Sequence, residues 1–183
     1  MRIIAGRFKG RKLNSPSGLS VRPTADRTRE SVFNILSEKV KAPHVLDLFS
    51  GTGALGIEAL SRGALRATFV DVSPQSIKTL ASNLSMIGIA DMCRVIRWDI
   101  GKNLNCLKLS DKFQLAFMDP PYEKGLISLA LKNLHQSHCL ANEALVVAEH
   151  SKKELITADP SVFALSDQRT YGKTLVSFLT YML

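Results

Sequence analysis

HVLDLFSGTGALGIEALSRG, residues 44–63, is the stretch on which the fold turns. Its first six residues are an apolar run broken by a single acid, Asp47, and read as a buried strand. Gly51, Gly53 and Gly56 follow, and GALGIEALSRG then places apolar residues at helical spacing, with Gly63 as the stop signal. Further out, ATFVDV (67–72), CRVIRWD (93–99) and FQLAFMD (113–119) are three more apolar, strand-like runs. SPQSIKTLASNLSMIG (73–88) separates two of them as a helix. Ser73 is its cap, Pro74 its first residue, Gly88 its stop, and Ile77, Leu80, Ala81, Leu84 and Ile87 form its apolar stripe. ALVVAEH (144–150) makes a fifth strand, and QRTYGKTLVSFLTYM (168–182) reads as two antiparallel strands turned near Gly172. Strands alternating with helices predict an α/β, Rossmann-like fold. Its mostly parallel seven-stranded sheet ends in an antiparallel C-terminal hairpin.

Right-handed crossovers bring the carboxyl ends of parallel strands to one edge, where ligands bind. Four acids are expected there: Asp47, Asp71, Asp99 and Asp119. Singly, each could be a turn former or a helix cap. The glycine loop has two readings. Gly51-x-Gly53-x-x-Gly56 matches the dinucleotide fingerprint, and Asp71, 20 residues after Gly51, stands where a ribose-binding acid belongs. Asp47 argues against a pyrophosphate and for a cationic ligand. The stretch also resembles motif one of class I S-adenosylmethionine (SAM) methyltransferases. That resemblance implies a glycine loop against the methionine part, Asp71 on the ribose hydroxyls, and Asp99 near the adenine amine. Asp99 could equally begin the next turn, and Trp98 could border the adenine or belong to the core.

MDPPY, residues 118–122, ends the fourth strand. Proline lacks an N–H and holds the preceding residue extended, so Asp-Pro-Pro makes a stiff lip. An ionised Asp119 only accepts hydrogen bonds. With the Pro120 carbonyl it offers two acceptors, beside the flat face of Tyr122. That suits a base exocyclic amine, whose two N–H groups match the acceptors and whose lone pair must be drawn out of the ring. Tyr122 would stack on a base that is flipped or looped out. The chemistry requires no metal.

The 183 residues suit one core, and a net charge of +8 is unevenly spread. Residues 1–30 hold Arg2, Arg7, Lys9, Arg11, Lys12, Arg22, Arg27 and Arg29 against Asp26 and Glu30, leaving +2 for the remainder. A basic arm on a near-neutral body is the footprint expected for a polyanion. Residues 1–24 read as a hairpin appendage, with RIIAG and RKLNS paired around FKG and followed by an SPSG loop. Residues 25–183 read as the enzyme domain. A helix is expected from about Thr24, its cap, to Lys39, with Arg27 and Arg29 either neutralised by Asp26 and Glu30 or facing an anionic ligand. No apolar run approaches a membrane span, the N-terminus does not read as a signal peptide, and Cys93, Cys106 and Cys139 lack CxxC spacing. A cytoplasmic protein with reduced thiols is expected. His135 and His138 have no third metal ligand nearby, and Asn83 is expected to bond a neighbouring loop.

RIIAGRFKGRKL, RPTADRTRESVFNIL, DLFSGTGALGIEALSRGA, MDPPY and TYGKT together resemble the bacterial RsmD-type methyltransferases. The resemblance implies SAM-dependent methylation of a guanine N2 amine in 16S ribosomal RNA, on the assembled small subunit, by a monomer. It implies that Thr28, Arg29 and Glu30 lie in the helix closing over the methionine end of SAM. Asp47, Phe49, Gly51 and Gly53 would line SAM, with Asp71 on its ribose. Asp119, Pro120, Pro121 and Tyr122 would form the catalytic lip. RNA contacts would come from Arg7, Lys9, Arg11, Lys12 and Arg22, largely through phosphates of a flexible arm. The rival readings are a DNA adenine-N6 methyltransferase, a dinucleotide oxidoreductase and a non-catalytic RNA-binding assembly factor.

Overall fold

A computed structural model describes residues 1–15, 23–108 and 111–183. Its strands are β1 (His44–Leu48), β2 (Arg66–Asp71), β3 (Cys93–Arg97), β4 (Phe113–Met118), β5 (Leu140–Ser151), β6 (Phe163–Tyr171) and β7 (Thr174–Tyr181). Among the described residues, the α-helices are α1 (Pro23–Leu36), α2 (Ala54–Ser61), α3 (Pro74–Ile87) and α4 (Leu126–Ser137). The strands form one sheet in the order β3-β2-β1-β4-β5-β7-β6. Strands β1 to β5 pair in parallel, and β7 runs antiparallel between β5 and β6.

The elements form for the reasons their sequences suggest. The Ser73 hydroxyl caps α3 by accepting the Ser76 N–H at 3.3 Å, Pro74 fills the first turn, and Gly88 ends the helix at φ 76°. Helix α1 starts at Pro23, so Thr24 lies inside its first turn rather than capping it; proline is preorganised for that first position. The helix stops at Leu36, and a tighter 3-10 turn continues it through Ser37–Val40. Strand β6 begins at Phe163, five residues ahead of its expected start at Gln168. It is an edge strand, half of it exposed, so no apolar run announces it.

Residue alternation sorts the core into two layers. One face of the sheet buries Val45, Phe69, Leu115, Phe117, Val147 and Phe178 against α1, α2 and α3. The other buries Leu46, Val70, Ala116, Met118, Val146 and Ala148 against α4. Phe33 of α1 lies against Phe117, ring centroids 5.4 Å apart. Residues 47, 71, 119 and 149 continue the first face, so the helix that covers Phe117 also borders the acids beyond it.

The N-terminal segment is a docked hairpin rather than a flexible arm or a pair of extended strands. A single antiparallel bridge joins Arg2 to Lys12. Ile3 and Leu13 are buried in the main core. The Glu58 carboxylate of α2 accepts the Ile4 and Ala5 N–H groups at 2.8 and 3.0 Å, and Ser61 takes the Phe8 N–H at 3.0 Å. Gly6 sits so close to the Ser61 backbone that a Cβ there would fall 1.9 Å from its carbonyl oxygen. Asn83, fully buried, accepts the Asn14 N–H at 2.8 Å and donates to the carbonyls of Asn14 and Thr52. One α3 side chain thereby ties the hairpin to the glycine loop.

Candidate active site

At the carboxyl edge, strand and loop chemistry together build an acidic cleft. Asp47 is buried on β1, and its Oδ2 accepts the Gly56 N–H at 2.9 Å. Burial pushes its pKa well above the ordinary carboxylate range; the Gly56 bond opposes that, and the charges of Asp119 and Asp71 add to it. Asp71 spans two turns: Oδ2 accepts the Gly51 N–H and Oδ1 the Ser73 N–H, both at 2.8 Å. Asp99 accepts the Gly101 N–H at 3.1 Å and pairs loosely with Lys102 at 3.8 Å, on a more open rim with Val72, Trp98 and Asn103. Asp99 thus begins the next turn and also faces the rim. Trp98 is 37% exposed, its indole N–H on the Asn103 carbonyl, so it is not core.

The three glycines do different work. At Gly51, φ +52°, an added Cβ would meet nothing closer than the Phe49 carbonyl oxygen at 3.9 Å. Its side-chain position is open space. At Gly53, φ +81°, a Cβ would fall 2.3 Å from the Leu80 side chain. At Gly56 it would fall 2.4 Å from the Phe69 ring. Those two glycines serve packing, and only Gly51 leaves room for a ligand to approach. Phe49 also has positive φ, 58°, where the chain leaves β1. Beside it the Ser50 hydroxyl is buried without a hydrogen-bond partner.

This donor and acceptor set decides between ligands. A dinucleotide needs the first turn of α2 for its pyrophosphate, but there the Asp47 carboxylate already takes the Gly56 N–H. An acceptor-rich cleft of mutually repelling carboxylates fits hydroxyl, amine and cationic groups instead. The residues present therefore fit SAM, a sulfonium carrying an ammonium and ribose hydroxyls, and do not fit a pyrophosphate.

At the end of β4, Asp119 is exposed to the cleft while Met118 and Pro120 on either side are buried. Burial within the protein mass and the Glu149 charge both push Asp119 upward, although its opening to the cleft admits water. Tyr122 is half-exposed, and its hydroxyl donates to Glu149 Oε1 at 2.7 Å. Glu149 is not among the residues the sequence singles out. Its signal is the register of two strands, which pairs Met118 with Ala148 and so sets Glu149 beside Asp119.

The structure brings together Asp47, Gly51, Asp71, Asp119 and Tyr122. Thr28 and Arg29 are buried on α1. Arg29 is turned toward the hairpin, with Nη2 on the Arg2 carbonyl at 2.6 Å and on Asp26 at 3.0 Å. Glu30 is exposed on a groove shared with Arg2, Lys9 and Arg27. On the hairpin, Arg7 and Arg11 cover the Phe8 ring, and Arg11 also donates to the Ile87 carbonyl at 2.8 Å. Lys9 and Lys12 are exposed. Arg22 and most of the SPSG loop lie outside the described residues. His135 contacts the Tyr181 hydroxyl at 3.3 Å. Among the described residues, no group of three His, Cys, Asp or Glu could hold a metal ion, and no helix is long and apolar enough to cross a membrane.

Comparison with known proteins agrees with this geometry. The family model described as Conserved hypothetical protein 95 matches residues 1–180. "Ribosomal RNA small subunit methyltransferase D" of Escherichia coli is 34% identical over 177 residues, covering 94% of this chain and 86% of its own. The chain belongs to the RsmD-type methyltransferase family. Another relative, YlbH of Bacillus subtilis, is 35% identical over 178 residues and covers 97% of both chains. A solved Escherichia coli structure, yhhF, superimposes with a TM-score of 0.85 at 32% identity, covering 100% of this chain and 98% of its own. The RsmD-type match includes the docked hairpin as well as the sheet, since it starts at residue 1.

Proposed function

We propose that this RsmD-type chain transfers the methyl group of SAM to the exocyclic N2 amine of a guanine in 16S ribosomal RNA, within the assembled small subunit. One observation carries the reading: Asp119 is an exposed acid between two buried residues, on the cleft that Asp47, Asp71 and Gly51 form. Gly51 would admit the methionine end of SAM, Asp71 would hold the ribose hydroxyls, and Asp99 would meet the adenine amine. When bound, SAM supplies an electrophilic methyl on a sulfonium. Asp119 and the Pro120 carbonyl accept the two N–H groups of the target amine, which draws its lone pair out of the ring. Tyr122 offers its ring to the base at roughly 1–3 kcal/mol of stacking. The methylated nitrogen is strongly acidic and sheds its proton without a strong base.

Electrostatics supports a base entering alone. The cleft is acidic, so phosphates are repelled from it and fall to the basic hairpin side, where Lys9 and Lys12 are exposed. The target must therefore leave its stack or already be looped out. A DNA adenine-N6 enzyme would more usually carry Asn at position 119, together with a separate recognition domain.

The test is transfer of labelled methyl from SAM to undermodified small subunits, naked 16S RNA and duplex DNA, with digestion to nucleosides. N2-methylguanosine from the subunits is the expected product. Label in DNA alone would discard the ribosomal reading, and no label with tight SAM binding would favour a binding-only role. Asp119→Ala should abolish transfer while leaving SAM affinity within a few-fold; equal loss of both would remove Asp119 from the lip.

A further inference from the structure

The cleft holds one acid more than this chemistry uses. Glu149 continues the α1-facing side of β5, as Asp119 does on β4, and the register sets the two side by side. Its Oε1 accepts the Tyr122 hydroxyl at 2.7 Å, and the Thr174 hydroxyl of β7 lies 3.4 Å from the same phenol. The contact pins both partners: a carboxylate anchored at one oxygen turns the other in a fixed direction, and Tyr122 gains a fixed ring. Glu149 is largely buried; burial first and the Glu149 charge second push the Asp119 pKa up, in keeping with the register that sets the two side by side. Side by side, the two carboxyl groups present acceptor oxygens toward the same space, an arrangement that matches a ligand with adjacent N–H groups.

Three RNA bases carry an exocyclic amine. In adenine and cytosine the Watson–Crick ring nitrogen beside that amine is an acceptor. In guanine it is N1–H, a donor. Resting on the proposed methyl transfer, we propose that Glu149 reads the target base as guanine by accepting its N1–H, while Asp119 and the Pro120 carbonyl hold the N2 amine. An adenine or cytosine amine placed on the same lip would set a ring lone pair against the Glu149 carboxylate. Discrimination then comes from repulsion of the wrong base as much as from attraction of the right one. Tyr122 joins the two functions, because its ring meets the base and its hydroxyl orients the reading carboxylate.

The test uses small subunits reconstituted with guanine or 2-aminopurine at the nucleotide mapped as the target. 2-Aminopurine keeps the N2 amine but has an acceptor at N1. Wild-type enzyme should prefer guanine by roughly 10- to 100-fold in kcat/KM, the range for one charge-assisted hydrogen bond and its discrimination. Glu149→Gln, whose amide accepts or donates, should lower transfer to guanine and bring the preference near unity, with SAM affinity within a few-fold of wild type. Equal use of both bases by the wild type overturns the proposal without any variant, and so does an unchanged preference in Glu149→Gln. A wild type that methylates neither base overturns the methyl-transfer reading itself, a result distinct from both.

Discussion

Replacing Glu58 by alanine tests how the hairpin is held. Glu58 is 1% exposed in α2, and its carboxylate accepts three hydrogen bonds: Ile4 N–H at 2.8 Å, Ala5 N–H at 3.0 Å and Arg62 Nε–H at 2.8 Å. The variant has two ways to respond. If the hairpin stays docked, two backbone N–H groups and one guanidinium are left without a partner, which costs about 3–5 kcal/mol for a buried ionic group. If the hairpin lifts away, its amides rehydrate, but Ile3 and Leu13 leave the core at about 1.5–3 kcal/mol each. The two costs are comparable, so stability should fall by about 3–5 kcal/mol whichever the chain adopts. Denaturant unfolding reads the total, and amide exchange at Ile4, Ala5 and Phe8 reads the route. Glu58→Gln keeps an acceptor for the backbone and should be destabilised less than half as much. A decrease under about 1 kcal/mol with protected hairpin amides would refute the clamp.

Other perturbations separate the roles of the loop, the hairpin and the lip. Gly51→Ala should cost about 1 kcal/mol of stability through its positive φ and weaken SAM binding, whereas Gly53→Ala, which meets Leu80, should cost more stability; denaturant melts and SAM titration read the contrast. Replacing Lys9 and Lys12 by alanine should shallow the slope of log affinity against log salt by about 0.7–0.9 for each phosphate left without its lysine, measured by RNA binding at several salt concentrations. Because the Asp119 pKa is raised on folding, its contribution stabilises at low pH and is lost as pH rises from the ordinary carboxylate range through the raised value; Asp119→Asn should flatten that part of the stability–pH curve, and an unaltered curve would deny the shift.

Much of this molecule can be read from its residues, and what cannot has a common cause. Ser73, Pro74 and Gly88 announce α3 because caps and stops act within a few residues. Asp47, Asp71 and Asp119 announce the cleft because each is a lone acid within or at the end of an apolar run. Glu149 does not, since it reads like any solvent-facing acid near a strand's end until pairing sets it next to a residue 30 positions earlier. Glu58 and Ser61 likewise resemble the polar side of an amphipathic helix, and only the docked hairpin gives them partners. The glycine fingerprint is ambiguous for the same reason: its spacing fits two cofactors, and the hydrogen bond between Asp47 and Gly56 separates them. The polar edge strand β6 lacks the apolar alternation that marks its neighbours.

The place of β7 between β5 and β6 has a consequence during synthesis. Translation delivers β5 and then β6; β5 can pair with β4 along one edge, but its other edge and β6 have no correct partner until residues 174–181 emerge to fill the gap. Until then β5 offers the ribosome-bound chain an open hydrogen-bonding edge next to Val146 and Ala148, a template for pairing with another nascent copy. The order of the sheet thus makes the late strand a timing element. Slow decoding ahead of residue 174 would prolong the hazardous interval, while fast delivery of the TLVSFLTY segment closes it.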